Sequence, residues 1–146
     1  MKIEKEIQQE QFPTPHHKAG INIIFTANWL LNEIAIALKP VGLSLQQLNA
    51  LSILDGQPNK TATVNVIRER LVDRMPNVSR LLNKLMEKGF IEKERNLTDQ
   101  RIVYIKLTPK GAEVKQKGRE LFDNIGFEMD NDQAELLNTL LDKMRG

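Results

Sequence analysis

The stretch that decides the fold runs from Asn65 to Gly111: NVIRERLVDRMPNVSRLLNKLMEKGFIEKERNLTDQRIVYIKLTPKG. Val64, Ile67 and Leu71 recur at helical spacing, with Arg68 and Glu69 on the opposite face. Val72-Asp73-Arg74 reads as a tight turn. Pro76 pre-sets the backbone for the first turn of a second helix, which extends to about Lys88. Val78, Leu81, Leu82, Leu85 and Met86 form the apolar stripe of that helix. Asn77, Ser79, Arg80, Asn83 and Lys84 lie off the stripe. Gly89 is placed for a left-handed C-terminal cap, and Phe90 and Ile91 return to the core. Two strand patterns follow, Ile91–Arg95 and Ile102–Leu107, joined by Asn96–Arg101, too long for a two-residue hairpin turn. In the second strand Ile102, Tyr104 and Lys106 face one side, and Val103, Ile105 and Leu107 the other. Thr108-Pro109 then opens another helix, with Thr as cap and Pro at the first position.

Helix, turn, helix and projecting hairpin make this a mainly α fold, a winged helix-turn-helix with a two- or three-stranded wing. The rest of the chain reads as support. Ser44-Leu45-Gln46-Gln47 is a capping box for a helix running to Asp55-Gly56, and Gln57-Pro58-Asn59 is a loop before a short helix opening at Thr63. Ala19–Leu38 is a long helix, ended by Pro40 and Gly42, with apolar residues nearly all round. Such a helix needs cover on several sides, and a second chain is a ready source. Residues 1–17 form an arm closed by Phe12-Pro-Thr-Pro-His-His17, possessing a short helical stretch at Ile3 and Ile7. At the other end, Asp130–Gln133 is a capping box in Asx form, and the last helix is expected to bury Ala134, Leu137, Leu140, Leu141 and Met144.

Composition excludes several function classes. The 146-residue chain has no cysteine, which removes disulfides, thiolate catalysis and thiol-based redox sensing. A charged N-terminus without an apolar stretch behind it argues against a signal peptide. Asn28, Asn32 and Glu33 interrupt the apolar first half, so no membrane span is expected and a cytoplasmic protein is the default. His16 and His17 are adjacent, hence divergent, and the chain has no third histidine. No metal site or other cofactor is expected. Asp130 and Asp132 are explained by helix capping, and Glu92 and Glu94 sit among basic neighbours. No acid, base and nucleophile come together, so no catalysis is expected.

Charge is local. Net charge is +2, yet residues 60–110 hold twelve Lys/Arg against six Asp/Glu, and the remainder nine against thirteen. A basic middle in an acidic frame suits an anionic partner. The polar face of the second helix carries Asn, able to pair bidentately with adenine, and Arg, able to do so with guanine. Ser79 and Lys84 suit phosphate or mixed contacts. Arg95 and Arg101 belong to the wing, where an Arg can enter a narrow minor groove, and Asp99 is spaced to hold Arg101 extended.

Val78–Ile91, Asp99-Gln100-Arg101 and Leu107-Thr108-Pro109-Lys110-Gly111 together resemble the MarR family of bacterial transcriptional regulators. The resemblance covers about residues 18–146. It implies a homodimer, built on helices in 1–40 and 112–146, with a DNA-binding lobe at 44–111 set on a pseudo-palindromic operator. It implies repression relieved by a small aromatic or anionic effector. Asn77, Ser79, Arg80, Asn83 and Lys84 match the base- and phosphate-facing positions, Arg101 the wing arginine, and Asp99 its partner. Met75-Pro76 departs from the small polar residues common there. Phe25, Trp29, Leu48 and Met86 are candidates to line an effector pocket. A protein-interaction module that keeps the fold without binding DNA is the alternative.

Overall fold

The computed structural model describes residues 1–74, 77–95, 98, 99 and 101–146. Among these described residues, seven α-helices and three strands follow in order: α1 (Ile3–Glu6), α2 (Pro15–Leu38), α3 (Leu45–Asp55), β1 (Thr61–Thr63), α4 (Val64–Arg70), α5 (Val78–Glu87), β2 (Ile91–Arg95), β3 (Val103–Leu107), α6 (Pro109–Asp123) and α7 (Asn131–Arg145). The sheet is antiparallel with β3 in the centre, order β1-β3-β2. Thr61 faces Lys106 on one side, and Ile91 faces Leu107 on the other.

Local chemistry sets most helix starts. Ser44 and Gln47 form the reciprocal capping box at α3. Asp130 and Gln133 form the second at α7. The Thr63 hydroxyl accepts from Val66 N–H at α4, and Asn77 caps α5 by accepting from Arg80 N–H at 3.1 Å. Each such cap contributes about 1 kcal/mol. The chain leaves α2 through a 3₁₀ turn, Lys39–Val41, closed by Gly42 at φ +66°.

The core lies between α2, α3, α4, α5, α6 and the inner face of the sheet. Leu38, Leu51, Leu54, Ile67, Leu85 and Ile105 are at its centre. Val78, Leu81, Leu82 and Leu85 of α5 are buried and Met86 is half-buried, as the stripe predicts. Across the core, α3 and α6 are tied by Lys115, a buried lysine whose Nζ donates to Asp55 Oδ2 at 2.9 Å. Lys60 reaches the other oxygen of Asp55 at 3.2 Å. The Lys115 ammonium holds the Asp55 carboxyl below its ordinary range against the opposing effect of burial, with Lys60 adding to it.

Two expectations need correction, the arm and α7, and a third, the two- or three-stranded wing, is resolved to three strands. The arm does not run to His17: Thr14 accepts from His17 N–H and Pro15 takes the first helical position, so α2 starts there. Thr14-Pro15 is the same signal as Thr108-Pro109, and His16 and His17 are exposed on its first turn. Strand β1 lies between the 57–59 loop and the Thr63 cap. Three residues are too few for period-two patterning to register. Helix α7 buries none of its residues: Leu136, Leu137, Leu140 and Met144 are all exposed, while Ala134 and Leu141 are half-buried. Its amphipathic stripe is present, but no described part of the chain covers it.

Helix α2 has the same character. Only Ile34 and Leu38 of its residues are buried, and Ile24, Trp29, Leu31 and Ile36 stand exposed. By length and composition alone Pro15–Val41 would span a membrane. However, its polar residues Asn22, Asn28, Asn32 and Glu33 are spread along it, and its C-terminal end packs on α3 and α6.

Candidate nucleic-acid interface

Helices α4 and α5 are joined by a turn in which Val72 N–H donates to Asn49 Oδ1 of α3 at 2.8 Å. The Arg74 guanidinium donates to the Glu69 carbonyl. Met75 and Pro76, expected to open the second helix, lie outside the described residues, and the described helix begins at Val78. Ser79, Arg80, Asn83 and Lys84 are exposed along one face, opposite the buried stripe. Asn77 is exposed beside them, but its Oδ1 is occupied by the cap and its amide NH₂ is the group turned to other use.

The wing sorts its charges by strand alternation. In Glu92-Lys93-Glu94-Arg95, Lys93 and Arg95 share the face of Ile91, while Glu92 and Glu94 take the opposite one. The basic side is thus the side that Ile91 turns to the core. Tyr104 and Lys106 accompany the two glutamates on the outer face, where with Pro58, Asn59, Thr61 and Glu94 they line an open cleft of about 620 Å³. At the tip, Arg101 Nε and Nη2 donate to the two oxygens of Asp99 at 3.1 and 3.3 Å, and Arg101 N–H donates to Oδ1 at 3.0 Å. The Arg101 side chain is 92% exposed. Its guanidinium holds the Asp99 carboxyl below the usual carboxylate range, helped by the backbone N–H. Asn96, Leu97 and Gln100 of the tip lie outside the described residues.

The four pocket candidates do not share one setting. Leu48 is buried in the core and Met86 packs against it. Phe25 is half-buried and Trp29 exposed on α2, apart from that core. Neither the cleft on the wing nor a second one near the arm, lined by Glu4, Glu10, Phe12, Pro13, Thr14, Pro15 and Lys18, includes any of the four. Among the described residues no group of three or more His, Asp or Glu is placed to hold a metal.

Sequence reasoning passed over three cations beside this surface. Arg68 (Nη1 to Asn65 Oδ1, 2.8 Å) and Arg74 lie on the first helix and the turn, and Lys93 on the basic face of the wing. The period-two alternation that selects Arg95 selects Lys93 equally.

A half-buried three-helix unit, a polar-faced second helix and a charged hairpin behind it define a winged helix-turn-helix protein. Residues 41–102 match the model of the MarR family. Over 76 residues the chain is 34% identical to an HTH-type transcriptional regulator of Mycobacterium leprae, a match covering 52% of each. The chain spans about half the length of the curated relatives it matches. Among solved structures, an organohalide-sensing transcriptional regulator in its 2,4-dichlorophenol-bound form superposes with TM-score 0.78 at 21% identity, over 92% of this chain and 85% of that one. A cysteine-to-serine mutant of MarR from Escherichia coli, complexed with operator DNA, superposes with TM-score 0.74 at 21% identity over 99% of both. At such identities the likeness is one of fold. In residues 41–102 the chain is thus similar to the MarR family of transcriptional regulators, and its fold over most of its length is that of the solved regulators.

Proposed function

We propose that this chain is a homodimeric, sequence-specific DNA-binding repressor acting in the cytoplasm, without catalysis, whose operator affinity is set by a small-molecule effector. The observation that carries the reading is the pairing of two surfaces. Ser79, Arg80, Asn83 and Lys84, with the amide of Asn77, stand exposed opposite the buried stripe of Val78, Leu81, Leu82 and Leu85. The wing behind them offers Lys93, Arg95 and an Arg101 braced by Asp99. The helix takes the major groove, where Asn and Arg read base edges and Ser79 and Lys84 meet phosphates. Arg101 enters the adjacent minor groove.

The partner of the exposed faces of α2 and α7 is a second copy. Ile24, Trp29, Leu31 and Ile36 on one helix and Leu136, Leu137, Leu140 and Met144 on the other are too many apolar side chains to leave in water. Pairing the N- and C-terminal helices, 1–40 and 112–146, sets two 44–111 lobes on the two halves of a pseudo-palindrome. A small aromatic or anionic effector fits beside Phe25 and Trp29, where pairing would enclose space. The phenol-bound neighbour supports that ligand class. Leu48 and Met86 serve the core side of that wall.

Fluorescence anisotropy on duplex DNA tests the reading. Affinity should fall steeply and log-linearly with salt, because bound Lys and Arg release counterions. Binding that is absent at low salt, with the dimer intact, would favour a protein-interaction module instead.

A further inference from the structure

We propose that Thr108 is a positioning residue: its one hydroxyl locks the C-terminal end of the recognition helix α5 to the start of α6, fixing the angle at which α5 meets DNA. This rests on the DNA-binding reading above. The end of α5 is closed by the two bonds of a Schellman turn, Gly89 N–H to the Met86 carbonyl and Phe90 N–H to the Leu85 carbonyl, with Gly89 at φ +77°. The carbonyls of Lys88, Gly89 and Phe90 are then taken in succession by the segment that opens α6. Lys110 Nζ donates to Lys88 O at 3.0 Å. Thr108 Oγ1 donates to Gly89 O at 2.7 Å. Thr108 N–H donates to Phe90 O at 3.1 Å.

The same Thr108 oxygen accepts from Gly111 N–H at 3.0 Å, capping α6. A hydroxyl has one proton and two lone pairs, so both bonds coexist. Thr14 and Thr63 cap their helices from within their own segments. Thr108 reaches nineteen residues back as well. Gly111 completes the lock: a Cβ there would stand 2.0 Å from Phe90 O, so α6 passes closer to the end of α5 than any side chain allows. The Lys110 ammonium also lies over the Phe90 ring, 5.4 Å from its centroid. A shift of α6 is therefore carried to the recognition helix through these hydrogen bonds and the close approach at Gly111. The Leu107–Gly111 motif acquires a physical role.

Three substitutions separate the two bonds. Thr108→Ser keeps both. Thr108→Asp keeps the cap acceptor but has no proton for Gly89 O at neutral pH. Thr108→Val has neither. Each is assayed in the full-length protein for affinity to a selected operator and to random duplex, for thermal stability, and for hydrogen exchange of the amides at 85–91. Thr108→Ser should match the parent. Thr108→Asp should keep the melting temperature within a few degrees, lose about tenfold in operator affinity, as for one hydrogen bond lost, and bind random duplex within about twofold. Its 85–91 amides should exchange faster while those of α6 stay protected. An Asp variant with parental operator affinity and parental exchange would overturn the proposal, leaving Thr108 a simple cap. Faster exchange in a protein whose parent binds no DNA would uphold the lock and reject the DNA-binding reading.

Discussion

Arg101 has little to do for stability: its side chain is almost fully exposed and its partner lies two residues away. An exposed pair of this kind contributes little to folding. What Asp99 supplies is direction, a two-point hold that keeps the guanidinium extended from the tip. Arg101→Ala should weaken operator binding by about ten- to a hundredfold, the range expected for one good arginine contact, with circular dichroism and melting unchanged. Unchanged affinity would remove the wing from the interface. Asp55 is the opposite case. Its carboxyl is held below 3.8 by Lys115, so the pair stabilises the fold above that pH and the contribution disappears as pH falls through the lowered value. Lys115→Met should cost about 1–2 kcal/mol at neutral pH, less than a fully buried pair because Lys60 stays with Asp55. The difference between variant and parent should shrink below about pH 3.8 in acid unfolding curves. A constant difference would mean that packing, not charge, sets the cost.

At the scale of elements, the helix-turn-helix and wing were legible because each carries its own signals. The α5 stripe, Gly89, the Thr108-Pro109 start and both capping boxes are local chemistry, and the structure keeps them where the sequence sets them. β1 was not legible, being three residues long and recruited by pairing with β3. The true start of α2 was legible in Thr14-Pro15 and was hidden by a second proline two residues earlier. The Asn77 cap shows a further limit. A side chain placed off the stripe by periodicity was taken for a reading residue, and hydrogen bonding at the helix start uses its oxygen. Gly111 is legible in the sequence only as the end of the Leu107–Gly111 motif, and the fold alone reveals the carbonyl it must clear. Gly111→Ala should destabilise by about 2 kcal/mol or more, as forced overpacking does, and would be read from the melting temperature. Gly118 should be more forgiving, since a Cβ there meets the flexible end of Leu48 at 3.0 Å.

For the whole molecule, the uneven burial is the main physical fact. The lobe around α3, α4, α5 and the sheet has its core, while the exposed apolar faces of α2 and α7 are left uncovered among the described residues. The error about α7 arises here: periodicity shows that a face is apolar and does not show which chain covers it. Leu140→Glu combined with Leu137→Glu should turn a dimer into a monomer in sedimentation, with little loss of lobe stability. A dimer unaffected by both would place the interface elsewhere. Trp29, the sole tryptophan, offers an optical test of the effector reading. Titration with 2,4-dichlorophenol should quench its emission and lower operator affinity together, and quenching without any change in affinity would separate the site from regulation. The most direct test of the central claim is selection of duplex DNA from a random pool with the stoichiometry of the bound complex measured. The account predicts an enriched inverted repeat, with half-sites about one helical turn apart, holding two chains per duplex. A pool with no enriched sequence, or one chain per site with no symmetry, would contradict it.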